Sequence, residues 1–218
     1  MLYKLHTTDL SPYGQRVCLA LALKGLTEET EFVDTFGGTD ALRDLAPMAQ
    51  IPILEGAHGE LPESQIIVDF LEDRHPEPPL VSSSTELRSK QALIARLVDL
   101  YVAPYTIALI TAMRGKMSPE AVSDAVTRHT RGLGFVDHYL NEADFAIGTD
   151  ISIADLAYGP FLFYAPHLAR WHDVDDPLSG MAKSHALLSR LYTHPVFANV
   201  FEKMETAFTK RCAQFAPS

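Results

Sequence analysis

The sequence has few cysteines, and they form no cluster with the spacing of metal ligands. Only Cys18 and Cys212 occur among 218 residues, and they lie far apart. This usage fits a reducing compartment and excludes a disulfide framework. The nine histidines include His167 and His172, but neither shows a metal-ligand spacing with a carboxylate or cysteine. We therefore expect no metal site.

Basic residues are also scarce. Lysine and arginine total 18 against 28 aspartates and glutamates, which gives a formal charge of −10. A surface of this sign repels phosphate backbones and anionic lipid. Nucleic acid is therefore excluded as the expected partner.

Long apolar runs and repeats are missing as well. No stretch approaches the ~20 apolar residues of a membrane helix, and no apolar leader follows Met1. We expect a protein without membrane contacts that is located in the cytoplasm.

The chain changes character at a proline-rich run from His75 to Ser83. Before it, strand-like runs (2–6, 31–34, 51–54) alternate with helical ones (12–24, 39–45, 64–74), which indicates an α/β domain. After it, every pattern is helical. We predict a first domain over residues 1–76, a linker over 77–82 and an all-helical domain over 83–218.

Local signals place the helices of the second half. Ser83 and Glu86 form a capping-box pattern, and Pro104 predicts a kink. Ser118-Pro119 predicts the start of a helix that runs to about Leu140, and Ser152 with Asp155 predicts the start of the next one. The last two helices are expected at 180–192 and 195–208. The aromatic residues after Ser152 (Tyr158, Phe161, Phe163, Tyr164) are interpreted as core, with the lining of a substrate pocket as the alternative.

Three segments of the first half are candidates for function. Ser11-Pro12 stands where the first strand feeds the first helix, and the free N–H groups and dipole of a helix start favour an anion such as a thiolate. Pro52 opens a strand-like run, and Glu63-Ser64 precedes another helix. Taken singly, these are also what two helix caps and a strand-start proline look like.

The order of these motifs over the whole chain resembles a cytosolic glutathione S-transferase of the serine type. Ser-Pro-Tyr-x-x-Arg starts the first helix, Ile-Pro the third strand, Glu-Ser the next helix and Ser-Ile-Ala-Asp a later one. The resemblance implies an α/β thioredoxin-like N-terminal domain plus an all-α C-terminal domain, a homodimer, glutathione as co-substrate and detoxification as the role. It also implies a cis peptide bond at Pro52.

The resemblance assigns residues as well. Ser11 matches the catalytic position, where its hydroxyl would donate a hydrogen bond to the glutathione thiolate for attack on a hydrophobic electrophile. Glutathione would be bound by six residues: Ser11, Gln50, Ile51, Pro52, Glu63 and Ser64. The electrophile pocket is predicted to include Tyr13, Tyr101 and Tyr105.

Departures from the family pattern argue against some of the mechanisms that occur in the family. His6-Thr7-Thr8-Asp9 has no tyrosine for a tyrosine-type mechanism, and Ser11-Pro12-Tyr13-Gly14 has neither thiol of a disulfide reductase. The Ser-Ser-Cys signature of the maleylacetoacetate isomerase class is replaced by Leu10-Ser11-Pro12. Three alternatives stay open: a glutathione-dependent isomerase or dehalogenase, a carrier of hydrophobic ligands, and a non-catalytic interaction module like the stringent starvation proteins.

Overall fold

A mixed four-stranded sheet forms the first layer of the protein. The computed structural model describes residues 1–35 and 39–215. Its strands are β1 (Tyr3–Thr7), β2 (Thr30–Asp34), β3 (Ile53–Gly56) and β4 (Gly59–Pro62), in the order β2-β1-β3-β4. β1 pairs parallel with β2 and antiparallel with β3, which in turn pairs antiparallel with β4. This mixed sheet confirms the predicted thioredoxin-like fold.

Helices cover both faces of the sheet, and the alternation of β3 shows which face each one covers. The helices are α1 (Pro12–Leu23), α2 (Thr39–Leu45) and α3 (Ser64–Arg74). Leu54 is fully buried in one core with residues of α1 and α3, whereas its neighbour Ile53 packs with Leu42 of α2 and with Ala46, which follows that helix. Successive side chains of a strand point to opposite faces of the sheet, so Leu54 faces α1 and α3 whereas Ile53 faces α2.

The remaining helices form the second layer. They are α4 (Thr85–Leu97), a π-helical turn (Val98–Val102), α5 (Ala103–Ala112), α6 (Pro119–Tyr139), α7 (Ile153–Trp171), α8 (Ala182–Thr193) and α9 (Pro195–Phe215). Tyr158, Phe161, Phe163 and Tyr164 of α7 are at most 1% exposed, which confirms that these four residues belong to the core. α7 packs against α1 as well as α4, and so joins the two layers.

Most local signals predicted the elements well. The bounds of α2 and α3 match, Ser118 caps α6, and Ser152 and Asp155 form the predicted capping box. The predicted cap at Ser83 is wrong. Ser84 is the N-cap of α4, where its hydroxyl accepts a hydrogen bond from the Leu87 N–H and donates one to Glu86.

The other differences concern lengths and one missed strand. β1 and β3 lie one or two residues later than predicted, α8 begins at Ala182, and α9 continues seven residues beyond 208. β4 was not predicted, because four residues ending in Pro62 form a strand only by pairing with β3.

The helical ladder is interrupted before Pro104, as predicted, but by the π-helical turn rather than by a simple bend. Proline has no N–H to continue an α-helical ladder, and the wider turn accommodates this loss.

The helical segment Thr85–Ala112, which includes the π-helical turn, is apolar and long enough to cross a membrane by length and composition. The expectation that no segment approaches this composition is therefore wrong. Core helices of soluble proteins meet the same criteria, so the finding is weak evidence for a membrane span. Only 39% of its apolar window is buried, which leaves apolar side chains on the outer face.

Candidate functional site

Ser11 stands at the junction of the β1–α1 loop and helix α1. It is the N-cap of α1, with an extended backbone, and its Oγ accepts a hydrogen bond from the Gly14 N–H at 3.0 Å. A serine hydroxyl has one donor and two acceptor positions, so this contact leaves the O–H free to donate. Ser11 is half-buried, and the positive end of a twelve-residue helix lies directly behind it. The arrangement suits an anion placed at the Ser11 hydroxyl.

Several contacts fix the loop that carries Ser11. Gly14 lies so close to β1 that a Cβ there would come within 1.9 Å of Thr7 Oγ1, which explains why this position is glycine. The buried hydroxyl of Tyr164 on α7 donates to the Leu10 carbonyl at 2.8 Å. The loop is therefore held from both layers of the fold.

Tyr13 and Arg16, on the first turns of α1, connect this helix to the second layer. The Tyr13 ring meets Phe161 of α7 edge-on, with centroids 5.1 Å apart. Burial raises the pKa of Tyr13 to about 12, with a smaller contribution from Asp99, so its phenol stays neutral. Arg16 is 1% exposed and its guanidinium contacts the Asp99 carboxylate of the π-helical turn at 2.6 Å.

The Ile51-Pro52 peptide bond is cis, as the resemblance implied. Pro52 is buried directly before β3, and Gln50 is exposed. Ile51 lies outside the strand, and its N–H and carbonyl make no backbone hydrogen bond to any other residue in the described ranges. They remain available to an extended peptide.

Glu63 and Ser64 start α3. Glu63 is exposed and has a φ of +70°, an unusual value for a residue other than glycine. Ser64 is 5% exposed and occupies the first helical position. Its hydroxyl makes no hydrogen bond with any residue that the structure describes. This helix start therefore offers both N–H groups and a hydroxyl to a carboxylate.

Tyr101 lies in the π-helical turn and Tyr105 lies on α5, both in the helical layer. Both line a cavity of about 540 Å³ between the α4–α5 segment and α6, and its described lining contains no residue of the first layer. The Tyr101 ring contacts Phe135 of α6, with centroids 5.4 Å apart. The contacts of Tyr13 and those of these two tyrosines therefore do not bring all three into one pocket.

Burial disfavours the thiolate form of both cysteines. Both cysteines are free, and burial raises the pKa of Cys18 to about 12. Burial also raises the pKa of Cys212. Within residues 1–35 and 39–215, no three His, Cys, Asp or Glu side chains group as metal ligands would.

Two positioning residues were not found from the sequence. Tyr164 was interpreted as core, with a pocket lining as the alternative, and not as a support of the β1–α1 loop; Asp99 was not singled out. Their partners, Leu10 and Arg16, are 154 and 83 residues away in the chain, so no local pattern signals either contact.

Comparisons with known proteins agree with this geometry. The family profile "Glutathione S-transferase, N-terminal domain" matches residues 5–79. Glutathione S-transferase 1 of Dianthus caryophyllus is 30% identical over 166 residues, covering 72% of this chain and 74% of the relative. The maleylacetoacetate isomerase of Pseudomonas aeruginosa is 30% identical over 171 residues, with coverages of 74% and 81%.

A solved structure is similar over most of its length. The maleylacetoacetate isomerase of Anaeromyxobacter dehalogenans, determined with GSH bound in its active site, is 26% identical. It has a TM-score of 0.73 over 91% of this chain and 94% of its own. By sequence and by fold, the chain belongs to the glutathione S-transferase family.

Proposed function

We propose that the protein is a glutathione transferase in which Ser11 activates the thiolate for attack on a hydrophobic electrophile. Residues 1–76 would bind glutathione, and residues 83–218 would complete the electrophile site. The observation that carries the proposal is the Ser11 hydroxyl, which is fixed by the Gly14 N–H and free to donate at the start of α1. Two free cysteines suit the reducing cytoplasm, where cell fractionation should find the protein.

The proposed role of Ser11 is to stabilise the thiolate form. A hydrogen bond to a charged group contributes ~1.5–3 kcal/mol, which corresponds to about one to two pKa units. The dipole of α1 acts in the same direction. Together they would bring a thiol pKa of ~8.5 close to neutrality, and the thiolate then attacks the electrophile.

The rest of the groove suits the other parts of glutathione. The free N–H and carbonyl of Ile51, beside Pro52 and Gln50, can pair with the extended cysteinyl unit. The α3 start at Ser64 can receive the γ-glutamyl carboxylate, with the Glu63 carboxylate facing its ammonium group. These local groups support anion binding in a protein whose net charge of −10 opposes it.

Two measurements test the proposal directly. Calorimetric titration should detect glutathione binding in the millimolar range or tighter, and 1-chloro-2,4-dinitrobenzene should be conjugated. A protein that binds no glutathione at millimolar concentration would instead be an interaction module. One that binds glutathione without turning over a broad electrophile panel would be a carrier.

Replacing Ser11 with alanine should reduce kcat/KM for conjugation roughly 10- to 100-fold, since the hydrogen bond to the thiolate is lost. The pH at which the bound thiol ionises should rise by about one to two units, as followed by thiolate absorbance. Ser118→Ala is the matched control, because Ser118 caps α6 through the same contact with an N–H three residues on. Both variants lose a cap worth about 1 kcal/mol, and only Ser11→Ala should lose activity. Full activity in Ser11→Ala would refute the role of Ser11.

A glutathione-dependent isomerase is the second candidate, favoured by the similarity to the Pseudomonas aeruginosa enzyme. The absence of its Ser-Ser-Cys signature argues for conjugation as the main activity. Turnover of maleylacetoacetate faster than of any electrophile in the panel would reverse this order.

We also propose that the protein is a homodimer, and that its interface includes an outer stripe on the α4–α5 segment. The outer stripe consists of Leu93, Leu100 and Ile107, which are spaced by seven residues and are 37%, 44% and 41% exposed. Three large exposed apolar side chains on one helical segment are typical of a contact with another helix. A second copy of the chain would remove them from water, contributing roughly 1.5–3 kcal/mol for each fully buried side chain.

The double variant Leu100→Glu/Ile107→Glu should dissociate the dimer at micromolar concentration, because each interface would bury four unpaired carboxylates. Light scattering after size exclusion should give the chain mass of 24.1 kDa for the variant and twice that mass for the wild type. Phe32→Glu, at an equally exposed position on the edge strand β2, should leave the dimer intact. A wild-type protein that elutes with the mass of one chain would contradict the proposal.

A further inference from the structure

The peptide unit that joins Leu10 to Ser11 is fixed at both of its polar groups. The Ser11 N–H donates to the Thr8 carbonyl at 3.0 Å, within the β1–α1 loop. The Leu10 carbonyl accepts from the Tyr164 hydroxyl of α7 at 2.8 Å, and no backbone N–H of residues 1–35 or 39–215 donates to it. On its carbonyl side, this peptide plane is therefore fixed from the helical layer.

The orientation of that plane matters for Ser11. A peptide unit is planar and rigid, so its orientation fixes where the chain enters Ser11. On the other side, Ser11 is already restricted, because a residue before a proline is confined to extended conformations and Ser11 has φ −86° and ψ 108°. Release of the Leu10 carbonyl would therefore loosen Ser11 from the side of the loop.

Tyr164 is a rigid donor for this contact. It is 1% exposed, and its ring meets Phe208 of α9 edge-on, with centroids 5.7 Å apart. Burial raises the pKa of Tyr164 well above its usual value, so the hydroxyl keeps the proton that it donates. Among the described residues, the hydroxyl has no hydrogen-bond partner other than the Leu10 carbonyl. A phenylalanine would fill the same space, so core packing accounts for the ring but not for the hydroxyl.

We propose that Tyr164 is a positioning residue, which holds Ser11 where its hydroxyl reaches the sulfur of bound glutathione. This inference rests on the proposed function of Ser11. Tyr164 donates to the loop and not to the sulfur, so it acts through the place of Ser11 alone. A displacement of about 1 Å caused by a remote residue can reduce a rate up to 100-fold. Ionisation of the bound thiol would therefore depend on α7 as well as on α1.

The variant Tyr164→Phe tests this role, since it removes only the hydroxyl. The pKa of the bound thiol, followed by thiolate absorbance, should rise by about half a unit to one unit, because Ser11 keeps only part of its hydrogen bond to the thiolate. At pH ~6 and saturating glutathione, kcat for 1-chloro-2,4-dinitrobenzene should then fall roughly three- to tenfold. The loss should disappear above pH ~9, where the thiol ionises without help. KM for glutathione should change less than about twofold, since the groups at Ile51 and Ser64 are untouched.

Tyr158→Phe is the matched control. Tyr158 lies on the same helix, is 0% exposed and also uses its hydroxyl in a buried hydrogen bond, to Ser184 of α8 at 3.0 Å. Urea unfolding should show a similar loss of stability in both variants, whereas only Tyr164→Phe should change the thiol pKa and kcat. The double variant Ser11→Ala/Tyr164→Phe should be as active as Ser11→Ala within about twofold, because Tyr164 acts through Ser11.

The outcomes distinguish this inference from the proposed function. If Ser11→Ala loses activity but Tyr164→Phe keeps the wild-type thiol pKa, the role of Tyr164 is overturned and that of Ser11 stands. An equal loss of kcat in Tyr158→Phe would show that stability alone is responsible, and an additive loss in the double variant would show that Tyr164 does not act through Ser11. Either result overturns the inference. Full activity in Ser11→Ala would overturn both roles.

Discussion

Replacing Lys24 with methionine should lower the free energy of unfolding by about 3–5 kcal/mol, because it leaves a buried carboxylate without its counter-charge. The Lys24 side chain is fully buried at the end of α1, and its Nζ lies 2.7 Å from Glu72 Oε2. Nζ also donates to the carbonyls of His75 at 2.5 Å and Pro78 at 3.0 Å. All three ammonium donors are therefore used.

Glu72 extends this contact along the segment between α3 and α4. Its carboxylate accepts hydrogen bonds from the N–H groups of Leu80, at 3.0 Å, and Val81, at 3.2 Å. Lys24 and Glu72 together fasten the run from residue 75 to 81, which the sequence characterises only as proline-rich. The loss of Lys24 removes the partner of two carbonyls and of one carboxylate at once.

Urea unfolding followed by circular dichroism measures this effect. Lys90→Met is the matched control, since Lys90 is exposed on α4, and it should change stability by less than about 0.5 kcal/mol. The double variant Lys24→Met/Glu72→Gln should be less destabilised than the sum of its single variants, because the unpaired charge is gone. A loss below about 1 kcal/mol in Lys24→Met would show that the buried pair contributes little.

The helix caps could be predicted from the sequence where they depend on residues close in the chain. The caps at Ser118 and Ser152 were found because a cap, its N–H partner and its proline or acidic companion lie within four residues. The start of α4 shows the limit of this approach. Ser82, Ser83 and Ser84 are three consecutive candidates, and only the folded chain shows that Ser84 meets the Leu87 N–H.

Contacts between distant segments could not be predicted. Arg16 was visible as part of a motif, but its ion pair with Asp99 depends on how α1 packs against the π-helical turn. The same turn decides which neighbours Tyr101 and Tyr105 meet. Their spacing places them on one face of a helix, and the fold turns that face toward α6. The identity of the electrophile depends on such packing and stays outside the reach of sequence patterns.

We expect a second large effect, on the pH dependence of the free energy of unfolding, from the two buried residues His129 and Asp155. Protonation of these two residues changes stability in opposite directions. His129 is 3% exposed, and its Nε2 lies 3.1 Å from Thr106 Oγ1. The Thr106 hydroxyl donates to the Val102 carbonyl, so it accepts from His129, which is neutral with the proton on Nε2. Burial lowers the pKa of His129 to about 4.

Asp155 is fully buried, and burial raises its pKa to about 6 although Ala146 and Ser152 donate hydrogen bonds to it.

The signs follow from the unfolded chain, where the histidine pKa is ~6.5 and the aspartate pKa ~3.9. The unfolded state binds a proton at His129 first, so acidification below pH ~6.5 favours unfolding and removes about 2 kcal/mol by pH 5. The folded state binds a proton at Asp155 first, so acidification through pH ~6 favours folding and restores roughly 1 kcal/mol by pH 5. The two contributions oppose each other in the same pH interval.

Single variants should separate them. His129→Gln keeps an N–H donor for Thr106 without titrating, so between pH 7.5 and pH 5 it should gain about 2 kcal/mol of stability relative to the wild type. Asp155→Asn should lose roughly 1 kcal/mol relative to the wild type over the same interval. Urea unfolding at both pH values measures these differences. A constant difference between wild type and His129→Gln at the two pH values would mean that His129 titrates alike in the folded and unfolded chain, contrary to its burial beside Thr106.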